Sequence, residues 1–163
     1  MQVFTYPKFY KIILRFGNIP LTLLLILYLI PSVVLVDKHP ILMIPLIISS
    51  LLIFLLNKLY ITLYKIIPYK IVADEGRLIC SEFLFSKKEI RIDFSNINKL
   101  KGGIFEGKLY GILKIYDGKN NIYIGYFNKL KNSKMLGNIL LSKVNKSVYE
   151  EVINNVIPGG PKK

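Results

Sequence analysis

Two long apolar runs near the N-terminus constrain this chain more than any other feature. The first, Ile19–Val36, contains eighteen residues without a charge, and the second is uncharged from Ile41 to Asn57. Eighteen helical residues cover about 27 Å, close to the roughly 30 Å hydrocarbon thickness of a bilayer. Only four residues, 37–40, separate the two runs. The sequence therefore predicts an antiparallel, two-helix transmembrane hairpin over residues 18–66.

Two other interpretations of these runs are disfavoured. A cleaved signal peptide would need a small-residue cleavage site after the first run, whereas a second apolar run follows at once. Helices that are apolar all round can also form the core of a soluble protein. A chain of 163 residues, however, has too little polar sequence to cover two such helices.

Basic residues flank the predicted hairpin at both of its ends. The N-terminal flank holds Lys8, Lys11 and Arg15, the C-terminal flank holds Lys58, Lys65 and Lys70, and the connection holds only Lys38 beside Asp37. Lys and Arg near span ends stay in the cytoplasm, so both termini and the remaining domain are predicted to be cytoplasmic, with the hairpin in the cell inner membrane. Residues 1–17 interleave aromatic and aliphatic side chains with basic ones, which predicts an interfacial amphipathic segment.

After Pro68 the apolar periodicity changes from helical to twofold. Short alternating runs are separated by turn signals, of which Asp74-Glu75-Gly76 and Asp117-Gly118 are the clearest. Without a helical crossover between them, these runs predict six or seven antiparallel strands. Residues 132–144 return to a helical period after a cap at Asn132 or Ser133, which predicts one closing helix. The domain is assigned to residues 67–146 and a C-terminal tail to residues 147–163, with a short helix over Ser147–Val156 as the alternative.

This order of elements resembles that of bacterial pleckstrin-homology-like domain proteins, in which the domain follows a two-helix membrane anchor. The resemblance is carried by the segments 69–78 and 87–97, the Asp117-Gly118 hairpin and the terminal helix, and it covers residues 19–144. It implies a mostly-β domain, an antiparallel pleckstrin-homology-like barrel closed by the C-terminal helix. Closure of such a sheet would also remove exposed strand edges.

The residue types that carry catalysis are sparse. Cys80 is the single cysteine and His39 the single histidine, so neither an internal disulfide nor a histidine-rich metal site is expected. Cys80 falls in a predicted strand without a second histidine to activate it. Gly102-Gly103 is not followed by Lys-Ser or Lys-Thr, which argues against a phosphate-binding loop. We therefore expect no enzyme activity, no cofactor and no metal.

Binding is the remaining kind of function, and the charge of the chain indicates its partners. The net charge is +13, and from Lys65 onward 18 basic and 9 acidic residues leave +9. Six basic residues in or beside predicted loops are the candidate lipid-binding or partner-binding residues: Lys87, Lys88, Arg91, Lys99, Lys101 and Lys108. Lipids of an anionic leaflet and other subunits of a membrane complex are the expected partners. Nucleic acid is not expected, since the basic residues do not share one helix, and a compositional bias toward Lys is the alternative source of the excess charge.

The sequence thus predicts a non-enzymatic, membrane-anchored interaction module, an accessory or scaffolding subunit of a larger membrane protein complex. Two alternatives remain open: a small membrane immunity or stress protein, and a sensor that binds anionic lipids.

Overall fold

The structure, a computed structural model, describes residues 1–156. The chain divides into two compact units. The helical unit is Lys11–Lys65, and the β unit combines Met1–Tyr10 with Ile66–Lys163. The segment of the C-terminal tail beyond residue 156 lies outside the described residues.

The helical unit consists of the two predicted apolar helices and the end of a shorter one. Helix α1 (Lys8–Phe16) precedes α2 (Asn18–Leu35), and a 3₁₀ helix at Pro40–Leu42 leads into α3 (Met43–Ile66). Both α2 and the segment Pro40–Ile66 are long and apolar enough to span a membrane, and only 6% of each is buried. Their leucine, isoleucine and phenylalanine side chains are therefore mostly exposed, unlike those of core helices.

Asn57 joins the two long helices through its side-chain amide. Its Nδ2 donates to Thr22 Oγ1 at 3.1 Å and to the Ile53 carbonyl at 2.9 Å, while its Oδ1 accepts from Asn18 Nδ2 at 3.1 Å. The Tyr64 hydroxyl donates to Asn18 Oδ1 at 2.7 Å. These bonds run between the start of α2 and the second half of α3, so the helices are antiparallel and their polar side chains satisfy one another.

The β unit contains two antiparallel sheets rather than a closed barrel. Strands β1 (Gln2–Thr5), β2 (Pro68–Ala73), β3 (Arg77–Phe83) and β4 (Ile90–Asp93) form the first sheet in that order. Strands β5 (Ile97–Lys101), β6 (Ile112–Asp117) and β7 (Ile122–Phe127) form the second. Every pairing is antiparallel, as the short connections predict. The six strands after the hairpin match the predicted number, and the predicted barrel does not close.

Strand β1 corrects the assignment of residues 1–17 to an interfacial segment. Gln2–Thr5 pairs with β2, and Phe4 is only 1% exposed in the core. The Tyr6 hydroxyl accepts the Phe127 N–H at 2.8 Å, which fixes the end of the strand. Burial of two aromatic side chains stabilises this position over an interfacial one. Only α1 keeps the predicted amphipathic character, and the whole helical unit is an insertion between two neighbouring strands of one sheet.

Two helices complete the β unit. Helix α4 (Ser133–Lys143) is the predicted closing helix, with Leu136 and Leu140 fully buried. Helix α5 (Lys146–Val156) replaces most of the predicted tail and confirms the alternative of a second helix. It buries Val148 and Val152, one helical turn apart, against β5 and a 3₁₀ helix at Gly103–Glu106. Over residues 147–156 these two valines supply the apolar face that holds a helix in place of a tail.

Candidate functional site

The six basic residues predicted to bind lipid or a partner do not form one cluster. Lys87 and Lys88 lie in the β3–β4 connection and Arg91 lies on β4, all in or beside the first sheet. Lys99 and Lys101 lie on β5, and Lys108 follows the 3₁₀ helix that leads to β6. The structure therefore places three of them in or beside the first sheet and three in or beside the second.

Two of the six basic residues are paired with nearby carboxylates. Arg91 Nε lies 2.8 Å from Glu89 Oε1, and Lys108 Nζ lies 2.9 Å from Glu106 Oε2. The bond from Lys108, together with the Gly102 N–H, lowers the pKa of the Glu106 carboxyl below its usual value. Exposed pairs of this kind contribute little to stability, and they reduce the local positive charge. Lys101 also interacts electrostatically with the Glu106 carboxyl.

The outer face of the second sheet brings basic and aromatic side chains together. In the register of β5, β6 and β7, Lys99 lies opposite Tyr116 and Tyr116 opposite Tyr123, while Lys101 lies opposite Lys114. The Tyr116 and Tyr123 rings are 4.5 Å apart between centroids with planes tilted by 33°. We name this surface the basic-aromatic face; its members are Lys99, Lys101, Lys114, Tyr116 and Tyr123.

Alternation along the strands creates this face. Leu100, Ile115 and Ile124 are at most 1% exposed and point into the core. Side chains alternate between the two sides of a strand, so their neighbours on β5, β6 and β7 point outward. Lys101 and Lys114 are like charges placed directly opposite one another, which is unfavourable, and the Glu106 carboxylate beside Lys101 offsets part of this repulsion.

A shallow depression of about 340 Å³ lies beside the two opposed lysines. It is lined by Lys101, Gly102, Glu106, Ile112 and Lys114. Gly102 has φ of 76° and lies against the Ile112 carbonyl, so a side chain at this position would collide with the backbone of β6. Gly102 and Ile112, the two residues in this close approach, both line the depression.

Comparison with protein-family models, with curated proteins and with solved structures gives no match.

Cys80 lies in an environment unsuited to nucleophilic chemistry. It is fully buried in the middle of β3, and burial raises the pKa of its thiol to about 12. Because the thiolate is the reactive species, this thiol is inert at neutral pH. Among residues 1–156, no three His, Cys, Asp or Glu side chains are grouped to hold a metal ion.

Sequence reasoning missed three of the five residues of the basic-aromatic face. Lys114, Tyr116 and Tyr123 were assigned to strands but not to a surface, because their meeting depends on the register of three strands. The period-two pattern on β6 and β7 indicates which side chains point outward. It does not indicate which of them lie opposite Lys99 and Lys101.

Proposed function

We propose that this protein is a non-enzymatic interaction module, anchored in a membrane by its helical hairpin, and that its basic-aromatic face binds an acidic segment of a partner protein. In this role it serves as an accessory or scaffolding subunit of a larger membrane complex. The observation that carries the proposal is the direct opposition of Lys101 and Lys114 beside the tyrosine pair.

The order of strands supports a pleckstrin-homology-like identity for the β unit. Antiparallel strands followed by a C-terminal helix are the order that the resemblance implies, and the unit has this order as a four-stranded sheet, a three-stranded sheet and α4. The unit departs from that order in two ways. Its first strand precedes the membrane hairpin, and α5 adds a second terminal helix.

The insertion of the hairpin between paired strands supports its proposed topology. Thr5 pairs with Lys70, so the chain leaves the sheet and returns to it at the same place. A hairpin inserted there must enter and leave a bilayer from one side. The basic flanks, Lys8, Lys11 and Arg15 before it and Lys58 and Lys65 at its end, favour the cytoplasmic side.

Complementarity of charge favours an acidic partner at the basic-aromatic face. Binding of a carboxylate between Lys101 and Lys114 would replace their mutual repulsion with two charge-assisted hydrogen bonds. Tyr116 and Tyr123 add rigid, amphipathic contact area of the kind enriched at protein interfaces.

The proposal is tested by reversing the charge of the face. Lys101→Glu with Lys114→Glu is compared with Lys119→Glu with Lys146→Glu, which changes the net charge equally at exposed positions outside the face. Each full chain is purified from its membrane in mild detergent, and co-purifying proteins are identified by mass analysis. A partner retained by the control pair and lost from the face pair is expected. A clean monomer, or a partner retained equally by both pairs, overturns the proposal.

A further inference from the structure

Two connections of the β unit expose apolar side chains next to lysines. In the β3–β4 connection Phe85 is 84% exposed and is followed by Lys87 and Lys88. In the segment before β6, Leu109 and Tyr110 are 81% and 75% exposed and follow Lys108. Phe85 has φ of 56°, a conformation unusual for a bulky residue. Single exposed apolar residues are common on proteins, whereas apolar residues grouped on one surface indicate a binding site. The position of these three residues in the β unit is therefore the relevant observation.

Both connections lie at the end of the β unit where the chain arrives from α3. Pro68 pairs with Phe83, which places Phe85 within about 12 Å of Pro68 by strand geometry. On the second sheet, the side chains of Ile66 and Ile112 both pack over Gly125. Ile112 begins β6, directly after the segment that carries Leu109 and Tyr110. We name this end, with its exposed Phe85, Leu109 and Tyr110, the proximal end.

The proximal end also carries a group of lysines. Lys87, Lys88 and Lys108 adjoin its apolar residues, and Lys129, Lys131 and Lys134 follow the end of β7. The Lys131 N–H donates to the Thr5 carbonyl at 3.0 Å, and Lys134 lines a small cavity with Leu109, which places both at this end. The opposite end carries the β2–β3 turn with Asp74 and Glu75, and it also carries Lys119 and Lys143, whose Nζ donates to the Glu75 carbonyl at 2.6 Å.

We propose that the proximal end docks on the surface of an anionic bilayer, with Phe85, Leu109 and Tyr110 in the boundary between headgroups and acyl chains and the lysines at lipid phosphates. This inference rests on the proposed membrane anchorage of the hairpin and adds a second, peripheral contact made by the β unit. Aromatic and aliphatic residues beside lysines are the composition of interfacial membrane contacts.

Covalent connection favours a bilayer over a protein as the occupant of this surface. Only Ile67 lies between the end of α3 and the start of β2, so a membrane that holds α3 holds the proximal end close to its surface. A contact made by a tethered domain benefits from a high effective concentration. Even weak individual lysine contacts, worth about a five-fold change each in the docking equilibrium, are then sufficient.

Lipid-depth quenching of the full chain in vesicles tests the inference. A water-sensitive fluorophore is attached to Phe85→Cys, to Tyr110→Cys and, as a control at the opposite end, to Lys119→Cys. Leu27→Cys within α2 reports insertion of the hairpin, and the unaltered chain serves as the unlabelled control since Cys80 is buried. The vesicles contain phosphatidylcholine alone or with an equal share of phosphatidylglycerol, together with lipids that carry a nitroxide on the acyl chain.

Quenching at residues 85 and 110 in phosphatidylglycerol vesicles, with none at 119, is the expected result, and it should be lost in phosphatidylcholine alone. Labels at 85 and 110 that are quenched no more than the label at 119 overturn the inference. Equal quenching in both lipids overturns the assignment of anionic lipid. Labels at 85 and 110 that are shielded from water but not quenched by the nitroxide lipid would overturn the inferred bilayer contact and indicate a protein contact instead.

A charge variant separates this inference from the proposed function. Lys87→Glu with Lys88→Glu, in the chain labelled at residue 85, should abolish the quenching, while Lys119→Glu with Lys146→Glu should leave it unchanged. The first pair lies away from the basic-aromatic face and should still retain a protein partner. Loss of docking with the partner retained would support the inference, and unchanged quenching in the first pair would overturn it.

Discussion

Tyr126 and Tyr6 bury hydroxyl groups in the same core with different outcomes. Tyr126 is fully buried, and within the described part of the chain its hydroxyl has no hydrogen-bond partner. The Tyr6 hydroxyl accepts the Phe127 N–H. Burial raises the pKa of both phenols, so both stay neutral at physiological pH. The two residues therefore provide a matched comparison of a satisfied and an unsatisfied hydroxyl.

Removal of the Tyr126 hydroxyl should stabilise the β unit. Tyr126→Phe is expected to raise the free energy of unfolding by about 1 kcal/mol, since an unpaired buried hydroxyl is costly, whereas Tyr6→Phe should lower it by about the same amount. Denaturant unfolding of the full chain in detergent, followed by near-ultraviolet circular dichroism, measures both. A loss of stability in Tyr126→Phe as large as that in Tyr6→Phe would contradict the assigned contacts.

Cys80 should make the stability of the β unit depend on alkaline pH. The pKa of its thiol is about 12 in the folded chain, against 9.0 for a thiol exposed to water, so above pH 9 the unfolded chain loses the proton first. The free energy of unfolding should therefore fall between pH 9 and 12, with a contribution from this thiol of up to about 1.4 kcal/mol per pH unit. Cys80→Ala should have a smaller slope than the unaltered chain in the same unfolding experiment. Identical pH dependence of the unfolding free energy in Cys80→Ala and the unaltered chain would contradict a contribution from this thiol.

At the scale of elements, Asn57 stabilises the pairing of α2 with α3. Asn57→Leu should weaken the helical unit by about 1 kcal/mol, the size measured for polar contacts between membrane helices. Thr62→Leu is the matched control, because the Thr62 hydroxyl donates only to the Lys58 carbonyl of its own helix. Unfolding of reconstituted protein by a denaturing detergent compares the two. Equal effects would show that the amide does not join the helices.

Local patterns predicted most elements, and contacts distant in sequence account for the misses. The apolar runs, the twofold alternation after Pro68 and the apolar spacing in α4 each depend on neighbouring residues, so they can be recognised in the sequence. Strand β1 was missed because its four residues pair with a strand that follows the whole hairpin. The placement of the candidate lysines depends on distant contacts too, since Lys87 lies in the β3–β4 connection of the first sheet and Lys101 on β5 of the second. Lys114 joins Lys101 only through strand register.

For the whole molecule, the main consequence of the fold is that the hairpin interrupts a sheet. The two sides of the insertion, β1 and β2, are hydrogen-bonded neighbours, and Phe4 on β1 is almost fully buried. The first sheet therefore cannot be completed until the chain has returned from the hairpin. Phe4→Ala should destabilise it by about 3 kcal/mol, as other large-to-small core changes do, and the same denaturant unfolding measures the loss.

Topology labelling tests this arrangement directly. Cysteines introduced at Gln2 and at Lys119 are treated, in sealed vesicles of one orientation, with a maleimide that cannot cross the membrane. Both positions should react, or both should be protected, because both belong to the β unit. A cysteine in place of His39, in the connection between α2 and α3, should show the opposite accessibility. The positive flanks favour the cytoplasmic side for Gln2 and Lys119, so inside-out vesicles should expose them. Opposite accessibility of Gln2 and Lys119 would mean that β1 and β2 cannot pair in the membrane-bound protein, and equal accessibility of all three positions would exclude a spanning hairpin.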